Sequence, residues 1–507
     1  MRDGGIHLRK TKTGSGSTAV QAVRYIRRKM VMVKHFGSAQ TPHALQLLLR
    51  DGEAWIAKQR MQLPLPLTSE PSLSSSVVDF DRIAFSNARH IFAHEVLMHA
   101  VKALGFARLL DSVLADLVII RLLEPSSKLR AITLLRRYFD IVHGRRTVYN
   151  TLKTFAARKD AMERQLIACA MKSHALTLSL VFYDVTTLYF ESFREDEEEA
   201  GLHKTGFSKD NKPQQPQVVI GLLVTSQGFP LCYDIFKGNT FEGHTMLPVI
   251  ERFQETHHVK TCTIVADAAM LSFENIEELR RKKLSYIVGA RVANLSPKLI
   301  SAVSMALNCT DDATIRIATK HGDLVCAFTK KRFQKDKHDM EKQIARAQKL
   351  VASRESGRRA KFVQTKGASY ILNTKLIAKT EKLLGIKGYV TNILPEAMSN
   401  YEIIAHYKNL WHVEQTFRMA KSDVEIRPIF HRTDDAIRAH VLLCVVALAV
   451  QKYLERITGW TLRRIRDAIM SVTDITLIDT VTGKSFTKRS ILSTETQSLM
   501  EKLGMPY

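Results

Sequence analysis

"VFYDVTTLYFES", residues 181–192, decides the fold. Val181, Phe182, Tyr183, Val185, Leu188, Tyr189 and Phe190 are apolar or aromatic, and Thr186 and Thr187 are β-branched, so the run reads as a buried strand. Asp184 sits in its middle. Burying a carboxylate costs several kcal/mol, on the order of 3–5, unless a positive partner meets it. The rest of the chain has to supply that partner.

Around this stretch the pattern is regular. "HALTLSLVFYDVTTLYF" (174–190), "QVVIGLLVTS" (217–226) and "FPLCYDIFKG" (229–238) are three strand-like runs, the last two joined by a connection short enough for a hairpin. A helix is expected at about 244–257, then the strand "TCTIVAD" (261–267), a helix over 272–283 and the strand "SYIVGA" (285–290). Three strands, helix, strand, helix, strand is the order of a ribonuclease H-like α/β domain. Residues 291–395 break the rhythm: "TIRIAT" and "LVCAFT" read as a hairpin, and 330–366 carry 13 Lys/Arg against four Asp/Glu, the mark of a basic inserted helix. "GYVTNI" (388–393) leads back, and helices at about 398–421 and 434–456 complete the set.

Upstream, residues 88–173 are amphipathic and helical almost throughout. Residues 1–35 hold nine Lys/Arg against Asp3 alone, which fits a basic hairpin and a disordered basic tail equally. The expected organisation is a basic arm or hairpin at 1–37, a mainly helical DNA-binding region at 38–173 with a Pro/Ser-rich linker near 63–76, a catalytic α/β domain with a mixed sheet at 174–290, a basic insertion at 291–395, the second catalytic part at 396–456, and a tail at 457–507.

Charge narrows the partners. The 507 residues include 75 Lys+Arg and 50 Asp+Glu, a formal charge of +25. Such a field attracts polyanions, nucleic acid first and an anionic membrane second. The longest apolar run, "VLLCVVALAV" (441–450), is too short to span a bilayer. No membrane partner is expected. Six scattered cysteines without a Cys-x-x-Cys pair argue against a zinc ribbon and fit a reducing cytosol, and the N-terminus has no apolar signal core.

Asp267 matches Asp184 in kind, because it ends the apolar strand "TIVAD". Carboxylates at the ends of central strands stand where open α/β sheets place ligands. A third follows in "HYKNLWHVEQTFRMAKSD" (406–423), where Tyr407, Glu414 and Lys421 are spaced seven apart. Seven residues turn a helix by about 700°, so the three are expected on one face, with Leu410, Val413 and Phe417 as an apolar stripe for docking. Oxygen-only ligands select a hard ion, Mg²⁺ or Mn²⁺, as the missing partner of Asp184. Each residue also has a structural reading: Asp184 held by a backbone amide, Asp267 as a helix cap, Glu414 paired with Arg418. Trp411 fits core packing better than base stacking, and "GLHKTGFSKDNK" (201–212) is as good a plain loop as a phosphate grip.

These residues resemble the DDE transposases of bacterial insertion sequences, in the branch with a Tyr-x2-Arg-x3-Glu-x6-Lys signature. "FYDVTTLYFES" resembles the first-aspartate strand, "VADAAMLSFENIEEL" the second and "YKNLWHVEQTFRMAK" the glutamate helix, with "FKGNTFEGHTMLPVI" (236–250) also similar. The likeness runs over roughly 1–455 and is densest in 180–290 and 385–440. Leu410 stands at the signature's arginine position, and Ala268-Ala269 where a Gly or Arg is common.

The resemblance implies that Asp184, Asp267 and Glu414 are the catalytic, metal-binding triad. They would hold two Mg²⁺ ions about 3.5–4 Å apart, with Mn²⁺ as a substitute. It implies that Tyr407 and Lys421 contact DNA, with Arg418 and Trp411 as further DNA-binding candidates. The expected function is a cytoplasmic, nucleoid-associated transposase. It would act as a homodimer on double-stranded DNA, both terminal inverted repeats and target, by strand cleavage and strand transfer. The alternatives are a non-catalytic regulator derived from a transposase and a metal-dependent DNA nuclease.

Overall fold

The computed structural model describes residues 5–506 apart from 15, 27–28, 61–79, 175–179, 200, 258, 260–261, 271, 321, 354–359 and 367–368. The expected linker at 63–76 lies outside the described residues, as does most of the lead-in to the strand expected from 174. The chain divides into Met1–Phe80 and Asp81–Tyr507.

In the first unit, β1 (His7–Lys12), β2 (Thr18–Ile26) and β3 (Lys29–Ala39) form an antiparallel sheet in that order. Helix α1 (Pro42–Arg60) packs against it. Ala19, Val20, Ala22 and Val23 of β2 are buried. The approach is close: a Cβ on Gly52 of α1 would come within 2.5 Å of Leu8. The described residues of this segment therefore build a sheet and are not a disordered tail. The unit also runs past residue 37, because α1 closes the sheet and belongs with it.

The second unit opens with β4 (Ile83–Arg89) and five helices: α2 (Ile91–Ala103), α3 (Ser112–Leu123), α4 (Lys128–Phe139), α5 (Arg145–Phe155) and α6 (Lys159–His174). Asp111 and Ser127 cap α3 and α4 by accepting from the amides of Leu114 and Arg130. There follow β5 (Leu180–Tyr189), β6 (Gln217–Val224), β7 (Pro230–Lys237), α7 (Met246–His257), β8 (Thr263–Ala266), α8 (Phe273–Arg281) and β9 (Ser285–Ala290). Next come α9 (Pro297–Leu307), β10 (Thr314–Thr319), β11 (Gly322–Phe328), α10 (Lys330–Ser353), β12 (Val363–Lys366), β13 (Ser369–Leu372), α11 (Thr374–Glu381) and β14 (Ile386–Thr391).

Eight of these strands form one mixed sheet in the order β10-β11-β14-β9-β8-β5-β6-β7. β5, β8 and β9 are parallel, and the other pairings are antiparallel. β6 is buried along its whole length, as expected of a strand covered on both faces. The supposed insertion at 291–395 is thus only partly one. β10, β11 and β14 lengthen the sheet, while Met340, Ala347, Phe362 and Leu384 form a separate small core under α10.

The expected helix over 398–421 is two, α12 (Asn400–Lys408) and α13 (Trp411–Ser422). Between them the bonding tightens to i→i+3, from Leu410 to Tyr407, His412 to Asn409 and Val413 to Leu410 at 3.0–3.1 Å. A 3₁₀ turn winds faster than an α-helix, so the single-face argument from seven-residue spacing fails at this joint. Helix α14 (Asp434–Thr458) is long and apolar enough to cross a membrane by composition, yet 83% of its apolar window is buried within the protein. It packs on α3, α5 and α13. An all-round apolar helix is what a core position demands.

Residues 457–507 are not a tail. α15 (Leu462–Met470), β15 (Asp474–Asp479), β16 (Ser485–Arg489) and α16 (Thr494–Leu503) fold back, and β15 lies between β4 and β16 in an antiparallel sheet. Apolar Leu462, Ile465, Ile469, Leu499 and Met500 are buried there, which a free tail would leave wet.

Candidate active site

Backbone register brings the two aspartates together. The parallel pairing of β5 with β8 ends at Tyr183 opposite Ala266. Asp184 follows within β5 and Asp267 is the first residue past β8, so both lie one residue beyond the same rung. Helix α13 lies against β5 and β6, with Val413 and Phe417 buried and Leu410 buried just before it. That docking places Glu414 beside the aspartates. All three carboxylates line one cavity of about 520 Å³.

The rest of its lining is cationic. Lys209, Arg418, Lys421 and Arg427 face the same space as the three acids. Lys209 is fastened to β5: its backbone amide donates to Thr187 Oγ1 at 3.1 Å and its Nζ to the Val185 carbonyl at 2.7 Å. The ammonium also pairs with Glu242 at 2.9 Å. Burial pushes the Asp184 carboxyl up to about 6; Lys209 and the Val185 amide hold it down, while Glu414 and Asp267 push it further up. Within the protein, then, Lys209 is the nearest answer to the charge at Asp184, and a partial one. None of Asp184, Asp267 and Glu414 forms an ion pair with another described residue. In particular, Glu414 has no bridge to Arg418.

Tyr407 is turned toward Asp267. It is 5% exposed, and its hydroxyl donates to Asp267 Oδ1 at 3.0 Å, which also accepts from the Ala268 amide at 2.7 Å. Its ring leans on Tyr389 and lies under the Lys387 ammonium, 4.6 Å from the ring centre. Gly289 leaves the room: a Cβ there would sit 2.4 Å from the Tyr407 hydroxyl. Burial, then the Asp267 charge, raises the phenol's pKa, so it stays a donor. Tyr407 positions Asp267.

Lys421 lines the cavity but is engaged, its Nζ 3.1 and 3.2 Å from the two oxygens of Asp210. Arg418 is exposed at the rim. Trp411, expected in the core, is 51% exposed and stacked on His412, and it is not among the residues lining the cavity.

The oxygens of the three acids do not converge on one point. Among the described residues, one group of His, Cys, Asp or Glu has ligand atoms all within 4.8 Å: Glu163, Cys232 and His257. That cluster is already filled by Arg252, whose guanidinium donates to both Glu163 oxygens and to Cys232 Sγ. Burial opposes a charged Glu163, yet His257, Arg252 and Lys159 hold its carboxyl down to about 2. It is an ion-pair network joining α6, β7 and α7, not an ion's cage.

Sequence reasoning missed Lys209 as a cavity residue, and Arg427 and Asp210 altogether. The loop "GLHKTGFSKDNK" carried a weak signal in its lysines; "VEIRPIF" around Arg427 carried none.

A cavity with an acidic wall and a cationic wall, where the parallel pairing of two adjacent strands ends, suits a substrate that is itself anionic and needs cation-assisted chemistry. Comparison agrees in kind. Residues 176–450, more than half of the chain, match the family described as "Transposase DDE domain". The chain belongs to the DDE transposases, enzymes that cut and join DNA. No curated protein matches it. Among solved structures it is similar to one described as a "piggyBac transposase synaptic complex with hairpin DNA". The identity is 10% over 82% of this chain and 74% of that one, with a TM-score of 0.35, a likeness too loose to carry an argument.

Proposed function

We propose that the protein is the transposase of an insertion sequence, in the branch with the Tyr-Arg-Glu-Lys signature, and that Asp184, Asp267 and Glu414 are its catalytic acids. The observation that supports this most is their convergence, from three separate segments, on one cavity whose other wall is Lys209, Arg418, Lys421 and Arg427. The order β7-β6-β5-β8-β9 within the sheet, with the last three parallel, supports the reading as a ribonuclease H-like domain. The mainly helical region at 38–173 then binds the element's terminal inverted repeats, in a homodimer that joins two ends.

Magnesium fits the acids. The donor set is oxygen alone, and three carboxylates without ion-pair partners share one cavity, which favours a hard divalent cation. Asp184 with Asp267 and Glu414 would hold two such ions, Mn²⁺ substituting. The chemistry supplied by bound magnesium here is Lewis-acid activation of a water or a DNA 3′-hydroxyl and relief of charge on the leaving oxygen.

The chain's own groups do the rest. Tyr407 and the Ala268 amide fix the Asp267 carboxylate by donating to one oxygen. Lys209 is pinned at Val185 and keeps a positive charge beside Asp184. The cationic wall takes the DNA backbone and holds the scissile phosphate against the acids.

Substitution tests the assignment. Asp184→Asn, Asp267→Asn and Glu414→Gln are each expected to lower end cleavage and strand transfer by at least about a thousandfold while duplex binding persists. Near wild-type strand transfer by Glu414→Gln would overturn the triad. Supplying a pre-cut 3′-hydroxyl end separates a transposase, which joins it to target DNA, from a nuclease, which does not.

A further inference from the structure

Asp210 is paired with two cations of the cavity's cationic wall. Its two oxygens lie 3.1 and 3.2 Å from Lys421 Nζ, and Oδ2 lies 3.3 Å from Arg427 Nε. Lys421 and Arg427 both line the cavity shared with the three acids, on its cationic wall. The ion pairs are sheltered, with Asp210 12%, Lys421 14% and Arg427 28% exposed at the side chain. The contact with Arg427 is close but misaligned: its buried Nε–H has no hydrogen-bond acceptor. A guanidinium next to an ammonium, bridged by one bidentate anion, is the donor arrangement that suits the oxygens of a phosphodiester.

The carboxylate is delivered by a fastened loop. Lys209, its neighbour, is tied to β5 through Thr187 and Val185. Ser208 Oγ accepts from the amides of Asp210 and Lys212. Asp210 is therefore held in reach of the two cations without being one of the three acids that line the cavity.

We infer that Lys421 and Arg427 form a phosphate-binding site for the DNA strand entering the cavity, and that Asp210 occupies it as an internal competitor until a backbone phosphate displaces it. This rests on the transposase reading and adds Arg427 as a binding residue and Asp210 as a positioning residue. DNA that cannot reach the cavity leaves the two cations neutralised, so weak, non-specific binding is suppressed.

The test measures binding of a short DNA duplex of arbitrary sequence to the full-length protein, in EDTA so that no strand is cut, over a salt series. Freeing two cations adds about 0.9 each to the dependence of log affinity on log salt. Asp210→Asn is expected to bind several-fold tighter than wild type, with the slope steeper by up to about 1.8. Adding Lys421→Met and Arg427→Met to that variant removes the gain, and Asp210→Glu restores wild-type behaviour. A folded Asp210→Asn protein with unchanged or weaker binding overturns the proposal, because a purely structural ion pair would lose stability without steepening the slope. A second measurement, on the wild type, covers failure of the variant to fold. Hydrogen exchange in 205–212 should rise when a duplex bearing the element's end occupies the cavity, and unchanged or slower exchange counts against displacement. Neither readout involves cleavage, so failure here leaves the triad untouched, and failure of the triad substitutions leaves this site testable.

Discussion

At the residue scale, the cavity sets Lys209 and Arg427 across from Asp184 and Asp267. Asp184 and Asp267 each interrupt or end an apolar run, so their types stand out against the strand pattern. Arg427 and Asp210 sit in polar surroundings of their own sequence and acquire meaning only from what the fold sets opposite them. Tyr407 was read as a DNA contact because its spacing matched a motif, whereas its burial depends on Tyr389 and Gly289, far away in the chain. A different buried group yields a pH prediction. Lys128 is 4% exposed, with its Nζ 3.3 Å from His440 Nδ1 and the Arg121 guanidinium close enough to repel its charge. Burial, then Arg121, pushes its pKa down to about 7. The unfolded chain holds that proton up to about 10.4. Stability from this group is thus complete above that pH and is lost as pH falls to about 7. Lys128→Met is expected to stabilise the protein by about 3 kcal/mol at pH 7, and by nearly nothing at about pH 10, where only the lost bond to His440 remains. Urea denaturation at the two pH values decides it; equal gains would mean that the lysine does not change charge on folding.

At the element scale, strands β6 to β9 could be read to within about two residues, since buried strands appear as short apolar runs punctuated by turns, whereas β5 starts at Leu180 and not at His174, which ends α6. The joint between α12 and α13 could not be read. Asn409 and Leu410 carry no breaker signal, so the change to i→i+3 bonding there has no cue in the local sequence. The C-terminal elements were missed for another reason. β15 pairs with β4, and Asp474 accepts from the amide of Phe92, 382 residues away in sequence. No local pattern reports so distant a partner. Because Asp474 also binds Arg489 and is 4% exposed, the pairing belongs to the core. Deleting residues 471–507 is expected to abolish cooperative unfolding near the wild-type midpoint and to leave β4 as an open edge prone to aggregation. A thermal melt and size-exclusion profile matching the intact protein would show instead that this segment is dispensable.

At the scale of the whole molecule, the charge of +25 is the feature that composition alone announced. It is unevenly placed. Residues 5–39, which hold β1, β2 and β3, contain no Asp or Glu, while the cavity in the second unit combines both signs. Affinity for DNA should therefore fall steeply with salt, by roughly a thousandfold or more between 50 and 200 mM if six or more phosphates are contacted. Anisotropy titrations over that range check it, and a flat response would leave the positive charge without a role. Charge could announce a polyanion, but not where one is worked on. That required the sheet.

The last shared rung of β5 and β8 has one more implication. Backbone pairing moves in whole-residue steps, and each step turns a side chain to the opposite face. The distance between Asp184 and Asp267 is therefore digital: resizing the hydrophobic layer beneath hardly alters it, whereas one residue gained or lost within 263–266 would aim Asp267 away from its counterpart altogether.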